Sequence, residues 1–166
     1  MILEYHILRE TQYAPTRSNP SDAGLDLRWI PEEASTRVMG ISPGASVLMP
    51  TGCKFGIPHG YMLEIKNRSS MAHKKQLLVG ACVVDSGYDG EVFVNLHNIG
   101  ASTQYIEAGD KIAQAVVVPV VPVRFVATPD PAVYDWYPIT MSDRGSGALG
   151  STDRISDEEA TQEDEE

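Results

Sequence analysis

The chain has 166 residues, 42% of them hydrophobic, and no apolar run approaches the roughly 18 residues of a membrane span, so we expect one domain and no membrane span. The formal net charge of −10 includes seven acids and no base in residues 157–166, which leaves about −3 elsewhere and argues against binding to duplex DNA. Cys53 and Cys82 stand alone without clustered His or a signal peptide, so neither a zinc site, a disulfide framework nor secretion is expected, and the default is a cytosol-like compartment.

Short runs rich in Val, Ile and Leu, separated by 11 Pro and 14 Gly, predict a mostly β domain with the strand spacing of a sandwich or jelly roll. The predicted strands, in chain order, cover residues 2–8, 25–30, 47–49, 53–57, 61–66, 77–84, 91–97, 105–106, 112–118 and 123–126. Residues 69–75 are the one segment that predicts a helical turn or two. Pro119 and Pro122 predict a stiff change of direction before the last strand.

The composition changes after residue 127, where the chain becomes rich in Pro and polar residues. We therefore expect a β domain over residues 1–140, a flexible glycine-rich arm over residues 141–153 and a disordered acidic tail over residues 154–166. An arm that leaves its domain is able to exchange onto a neighbouring subunit, and the segment around 119–140 is included in that expectation.

The segment 83–91 places a carboxylate and an aromatic ring at a turn. The runs 77–84 and 91–96 predict two strands of a hairpin whose tip carries Asp85 and Tyr88. A carboxylate held there is able to act as a general base, and the ring is able to stack on a flat or sugar-like ligand. Taken alone, the segment is more typical of an ordinary β-turn, in which Asp and Gly supply only turn geometry.

Four other polar clusters, at residues 22–26, 68–70, 109–114 and 144–152, contain the donors that a polyanion needs. Together they predict a phosphate site, although Ser69 and Ser70 are also suited to capping the short helix. Gly145, Gly147 and Gly150 in the last cluster match GxGxxG, but no strand is predicted before them and no helix after them, so a dinucleotide fold is rejected. A P-loop and the zinc deaminase signature are absent from the sequence.

We number the five clusters in chain order as residues 22–26, 68–70, 83–91, 109–114 and 144–152. In that order they resemble the five sequence motifs of the trimeric dUTPase family, over residues 22–152. The resemblance implies an all-β, jelly-roll-like barrel or sandwich protomer, whose C-terminal arm is exchanged between the subunits of a homotrimer. It implies dUTP diphosphatase activity, in which dUTP is hydrolysed with Mg²⁺ to dUMP and pyrophosphate. It also implies that this reaction limits uracil incorporation into DNA and supplies dUMP for thymidylate synthesis. It also implies a cytoplasmic protein, or one of the host cytosol or nucleus if the source is viral.

The resemblance carries roles onto individual residues. Asp85 resembles the base that activates water for attack on the α-phosphorus, and Tyr88 the ring that packs under deoxyribose and excludes a 2′-hydroxyl. Asp26 resembles the acid that holds the metal ion through water. The expected substrate-binding residues are Arg68, Ser69, Ser70 and Gln114 for the phosphates, Arg144, Ser151 and Thr152 from the arm, and the backbone around Ala81, Cys82 and Phe93 for the uracil edge.

Some positions depart from the family pattern. Cys82 stands where the family usually has Gly, Asp89 where Arg or Gln is common, and Asp153 where a Gly ends the last motif. Leu149 replaces the Phe expected to stack over uracil, which forfeits about 1 kcal/mol on aromatic-pair magnitudes. These changes leave the phosphate chemistry intact and leave open whether a modified uracil is preferred.

Two alternatives remain open from the sequence. Residues 85–88 partly resemble the Asp-Pro-Gly-Phe turn of the dCTP deaminase family, but Asn95 stands where those enzymes carry a catalytic Glu. The scaffold is also suited to a regulatory or protein-binding module that uses the acidic tail or the altered arm. The retained Asp85, Asp26 and Arg68 argue against that module, because pure binding needs no general base.

Overall fold

The computed structural model describes residues 1–9 and 13–127, which form an all-β structure with one short helix. The elements in chain order are β1 (Glu4–Ile7), β2 (Gly24–Arg28), β3 (Val38–Ile41), β4 (Ser46–Pro50), β5 (Cys53–Gly56), β6 (Tyr61–Lys66), α1 (Ser69–Lys75), β7 (Leu77–Val79), β8 (Val83–Asp85), β9 (Phe93–Asn98), β10 (Gln104–Glu107) and β11 (Lys111–Pro119). Met1–Val123 form one compact unit, and of the second unit, Arg124–Glu166, the structure describes residues 124–127.

The strands pair antiparallel in four sheets within the described residues. The largest has the order β2-β11-β6-β8, the next has the order β4-β9-β7, and β1-β5 and β10-β3 are two-stranded. Alternate residues of β6 and β9 are buried in one shared hydrophobic cluster, among them Leu63, Ile65, Val94 and Leu96. Each of the two larger sheets therefore buries one face, which is the arrangement expected of a jelly-roll-like sandwich.

The predicted helix at residues 69–75 is confirmed as α1. Its N-cap is Arg68, and it ends at Gln76, which adopts the left-handed conformation with φ of 53°. The Gln76 N–H donates to the Met71 carbonyl, which satisfies part of the helix end. This sharp ending turns the chain directly into β7.

The prediction of one continuous strand over residues 77–84 is wrong. β7 pairs with β9 in the three-stranded sheet, whereas β8 pairs with β6 at the edge of the four-stranded sheet. The chain crosses between the sheets at residues 80–82, where a Cβ on Gly80 would overlap the side chains of Asn95 and His97. Asp85 therefore ends an edge strand rather than a strand that pairs with β9.

Two smaller differences concern strands. No strand forms at residues 123–126, against the prediction, because the segment is exposed and has no pairing partner within the described residues. The sequence does not predict β3, because only Ile41 of its four residues is buried and Gly40 interrupts its apolar residues. The expected domain scheme cannot be followed past residue 127, because the arm and the tail lie outside the described residues.

Candidate functional site

Three of the predicted polar clusters come together around a cavity of about 270 Å³, which we call the polar cavity. It gathers the candidate metal-holding and phosphate-binding residues of the first, second and fourth clusters on one side of the four-stranded sheet. Its lining consists of Ser18, Asp22, Ala23, Gly24, Asp26, Arg68, Ser69, Ser70 and Gln114.

Strand pairing explains this gathering. In the four-stranded sheet Asp26 on β2 lies opposite Gln114 on β11, and Gln114 lies opposite Lys66 at the end of β6. The chain leaves β6 directly into the start of α1, and the Gln114 Nε2 donates to the Asn67 carbonyl at 2.9 Å. A Cβ on Gly24 would overlap the Gln114 side chain, so glycine leaves room for the Gln114 amide in this position. The register of three strands thus places three sequence clusters beside one another.

Asp26 is the electrostatic centre of the polar cavity. Asp26 is only 8% exposed, and its carboxylate contacts the Arg68 Nε at 2.8 Å and the Lys111 Nζ at 2.5 Å. Two cations around one carboxylate leave the trio with a net charge of +1, which suits an anionic ligand. With Asp22 counted as well, the two cations balance the two aspartates, so the cavity offers a guanidinium and an ammonium to phosphate without a net negative charge.

Lys111 is a member of the site that sequence reasoning missed. A β-bulge lies between Lys111 and Ala113, and it places Lys111 opposite Arg28, two residues along β2 from Asp26. Strict alternation along β11 would have put Lys111 and Gln114 on opposite faces of the sheet. The signal in the sequence was the position of Lys111 inside the fourth polar cluster, but its orientation depends on the bulge.

Ser69 and Ser70 occupy the first positions of α1 and are exposed. Because the N-cap position belongs to Arg68, the alternative in which either serine is the cap does not hold. Arg68 forms no side-chain cap bond; its guanidinium instead contacts Asp26 and donates to the Lys111 carbonyl at 3.3 Å. The hydroxyls of both serines and the backbone N–H groups of the first turn thus border the polar cavity.

The remaining described candidates line a second cavity of about 270 Å³, which we call the apolar cavity. It contains every candidate from the third cluster together with the predicted base-reading residues. Its lining consists of Leu48, Ile65, Ala81, Cys82, Val83, Val84, Asp85, Tyr88, Glu91 and Phe93.

A tight turn holds Asp85 and Tyr88 at the mouth of the apolar cavity. The Tyr88 N–H donates to the Asp85 carbonyl at 3.3 Å, and Gly87 between them has φ of 90°, a conformation that favours glycine. The Tyr88 hydroxyl donates to the Glu91 carbonyl at 2.9 Å. Both the carboxylate and the ring are exposed, so they are accessible to a ligand and to water.

The crossing segment, residues 80–82, is held from both sides. The Cys82 carbonyl accepts from the Ile65 N–H at 2.7 Å, and the Gly80 N–H donates to the Asn95 carbonyl at 2.9 Å. The Asn95 Oδ1 accepts from the Ala81 N–H at 3.4 Å and lies 2.7 Å from the His97 Nε2. Asn95 therefore supports the backbone of this segment, at the position where a deaminase resemblance would require a Glu.

The two cavities are far apart within one protomer. Asp26 shares a row of the sheet with Gln114 and Lys66, whereas Asp85 shares a row with Met62, four residues back along β6. Four residues along a strand and three strand spacings across the sheet correspond to roughly 20 Å. The Asp85 carboxylate and the polar cavity of the same protomer are therefore too far apart to act on one phosphorus atom.

The two cysteines differ in environment, and this predicts different reactivity. Burial raises the pKa of the Cys53 thiol to about 11, which leaves about 0.1% of it as thiolate at pH 8. Cys82 is half-buried and lines the apolar cavity.

We expect an aromatic disulfide reagent at pH 8 to modify one thiol per native chain and two per denatured chain. Cys82→Ser is the matched variant, and native modification that persists in it would contradict the assignment.

Several expected features lie beyond what the structure describes. Arg144, Leu149, Ser151 and Thr152 lie outside the described residues.

Within residues 1–9 and 13–127, no three His, Cys, Asp or Glu side chains come together as a metal-binding group. No helix in the described part of the chain is long and apolar enough to cross a membrane.

Comparison with known proteins gives consistent results. The family model described as dUTPase matches residues 10–152. The chain is 36% identical over 149 residues to the deoxyuridine 5′-triphosphate nucleotidohydrolase of Bordetella avium, covering 88% of this chain and 92% of the relative. It is 39% identical over 140 residues to the protein of the same name from Chlamydia abortus, covering 83% and 89%.

Similar folds occur among solved structures. A mutant dUTPase of Staphylococcus bacteriophage 80alpha, solved with dUpNHpp, superposes with a TM-score of 0.74 at 21% identity, covering 91% of this chain and 98% of the other. A mutant dUTPase from phage phi11 of S. aureus, described with a structural Mg(II) ion, has a TM-score of 0.69 at 22% identity, covering 78% and 98%. At these identities the likeness concerns the fold.

Proposed function

The chain belongs to the dUTPase family and is a dUTP diphosphatase, and from this premise we propose that a water activated by Asp85 attacks the α-phosphorus of dUTP, releasing dUMP and pyrophosphate. The observation that carries the proposal is the polar cavity, where a buried Asp26 contacts Arg68 and Lys111, two cations that are able to bind a phosphate chain. The biological consequence we propose is less uracil in DNA and a supply of dUMP for thymidylate synthesis.

Asp85 and Tyr88 supply the chemistry at the sugar and the α-phosphate in this proposal. A general base needs a position within hydrogen-bond reach of its water, and the exposed Asp85 carboxylate at the end of an edge strand has room for one. The Tyr88 ring, held by its hydroxyl at the Glu91 carbonyl, packs under deoxyribose and leaves no room for a 2′-hydroxyl. The apolar walls beside them receive the uracil ring, and Leu149 of the arm covers it.

The polar cavity holds the phosphates. The planar guanidinium of Arg68 in the cavity and the Lys111 ammonium, which contacts Asp26 beside it, neutralise negative charge as the leaving pyrophosphate develops. Gln114 adds an amide donor. Ser69 and Ser70 contribute hydroxyls from the start of α1. We propose that the arm closes over this cavity with its own donors, which are Arg144, Ser151 and Thr152.

The lining of the polar cavity fits a magnesium ion held through water. Mg²⁺ keeps several waters and is commonly bound by one or two carboxylates together with substrate phosphates, and Asp26 and Asp22 are the carboxylates that this cavity offers. Both Asp26 oxygens already contact cations, so direct coordination by a protein cage is not the arrangement we propose. When bound with dUTP, Mg²⁺ would neutralise phosphate charge and fix the geometry of the phosphate chain.

We further propose a homotrimer in which each active site draws on three subunits. The separation of roughly 20 Å between the Asp85 row and the Asp26 row in one protomer supports this, because a base must lie next to the phosphorus that its water attacks. One subunit supplies Asp85 and Tyr88, a second supplies the polar cavity and a third supplies the arm. In this scheme residues 1–140 are the β domain, residues 141–153 the arm and residues 154–166 an acidic tail, and the enzyme works in the cytoplasm or, for a virus, in the host cytosol or nucleus.

A substrate panel tests the proposed function. We expect pyrophosphate release from dUTP with Mg²⁺ to exceed that from dTTP, dCTP and UTP by at least about 100-fold, because unpaired or clashing groups in a closed pocket carry penalties of several kcal/mol. Ammonia release from dCTP would instead support a deaminase. Equal rates on dUTP and UTP would contradict the role of Tyr88.

A further inference from the structure

An ion pair that the proposed mechanism does not use lies half-buried beside the 85–91 turn. The Arg9 guanidinium donates to both carboxylate oxygens of Glu91, at 2.5 Å each, across 82 residues of sequence. The Glu91 side chain is only 10% exposed and that of Arg9 23% exposed. Because the guanidinium makes two parallel hydrogen bonds, it fixes the orientation of the Glu91 carboxylate as well as its distance from Arg9.

Gly52 closes the connection between the N-terminal segment and Glu91. The Gly52 N–H donates to the Glu91 Oε1 at 2.7 Å, and its carbonyl accepts from the Leu8 N–H at 2.7 Å, next to Arg9. The following residue is held as well, because the Val92 N–H donates to the Cys53 carbonyl at 2.9 Å. The Glu91 carboxylate thus has three defined donors, which restrict the backbone of Glu91 to one place.

The Glu91 backbone in turn determines where Tyr88 lies. The Tyr88 hydroxyl donates to the Glu91 carbonyl at 2.9 Å, and a Cβ on Gly90 would overlap the Tyr88 phenol. The ring therefore lies directly across Gly90, and its hydroxyl is hydrogen-bonded to the Glu91 carbonyl. Any movement of the Glu91 carbonyl moves the end of the ring that is to lie under the sugar.

We propose that Arg9 and Glu91 are positioning residues that set the discrimination between deoxyribose and ribose nucleotides, by fixing the carbonyl to which the Tyr88 hydroxyl is bound. This inference rests on the proposed function, since it assumes that Tyr88 reads the sugar. It adds Arg9, on the N-terminal segment and outside the five clusters, and gives a role to Glu91, the last residue of the segment 83–91. Glu91 keeps Tyr88 in place without contacting the substrate through its carboxylate.

The test compares kcat/KM for dUTP and UTP in the full-length chain and in Glu91→Gln and Arg9→Gln. Glu91→Gln retains the volume and one oxygen for the Gly52 N–H but removes the charge and the bidentate fork. We expect the dUTP-to-UTP ratio to fall by about tenfold in each variant, mainly through a gain of activity on UTP, because small misplacements of a positioning group have effects of this order. The double variant should be no worse than either single one, since the pair acts as a unit.

Asp89→Asn is the matched control. It removes an ion pair of the same turn, with Lys54 at 2.7 Å, but its carboxylate is 87% exposed and contacts no atom of Tyr88 in the described hydrogen bonds. We expect its ratio to remain within twofold of the parent. A background of Tyr88→Phe provides the second control, because Glu91→Gln should not change the ratio further once the hydroxyl is absent.

The outcomes separate the inference from the proposed function. Folded, trimeric variants with an unchanged dUTP-to-UTP ratio would overturn the inference alone, even if their thermal midpoints fall. A ratio that falls equally in Asp89→Asn, or that falls again in the Tyr88→Phe background, would also overturn it. A parent chain that releases no pyrophosphate from dUTP would overturn the proposed function and this inference with it.

Discussion

Replacing Asp85 with Asn is expected to lower kcat for dUTP by about 10²–10⁴-fold, the usual contribution of a positioned general base. The amide has nearly the same shape as the carboxylate and does not accept the proton of the attacking water. Asp85 is exposed at the end of β8, so the change removes no buried contact and the fold should persist. Steady-state pyrophosphate release at saturating dUTP measures the loss, and binding of a non-hydrolysable dUTP analogue should change little.

Asp89→Asn serves as the control for a carboxylate on the same turn. Its side chain pairs with Lys54, whose hydrogen bond holds the pKa of the Asp89 carboxyl below its usual range, and it lies on the outside of the turn. Its kcat should stay within a few-fold of the parent value. An Asp85→Asn enzyme that keeps a comparable kcat would rule out Asp85 as the base.

Mixing inactive Asp85→Asn chains with inactive Arg68→Ala chains is expected to restore activity. In the proposed trimer each site takes Asp85 from one subunit and Arg68 from another, since the two rows lie roughly 20 Å apart in one protomer. After equal amounts are unfolded and refolded together, each donor is intact in half of the cases, so about one quarter of the sites are complete. The measurement is the dUTP turnover of the mixture relative to the parent.

Each variant refolded alone is the control for this experiment, and two different affinity tags verify that mixed trimers have formed. If Asp85 and Arg68 acted within one protomer, no mixed site would contain both residues and the mixture would stay inactive. Verified mixed trimers without recovered turnover would therefore exclude the shared site.

The parts of this molecule that follow local rules were accessible from sequence. Residues 69–75 contain neither Pro nor Gly and are the one segment for which the sequence predicts a helical turn or two, which α1 confirms. Most strands were predicted because Val, Leu and Ile recur between Pro and Gly. The family motifs identified Asp26, Arg68 and Gln114, which the sheet register does bring to one cavity.

The parts that depend on long-range pairing were not accessible. Alternation over residues 77–84 does not reveal that β7 and β8 pair in different sheets, because each half satisfies the same pattern. The orientation of Lys111 depends on a bulge, which adds one residue without a distinctive sequence signature. The Arg9–Glu91 pair joins residues 82 positions apart, and neither lies in a motif that suggests the other.

The passage of the chain from one sheet to the other at residues 80–82 has an evolutionary consequence. These residues belong to neither sheet, whereas Asp85, Asp26 and Gln114 lie in strands of the four-stranded sheet. We expect substitutions in the crossing segment, such as a cysteine at position 82, to alter which pyrimidine fits while leaving the residues of the four-stranded sheet in place. In the proposed mechanism, nucleobase preference and bond cleavage thus depend on different parts of the chain, and we expect related proteins to diverge in the first without losing the second.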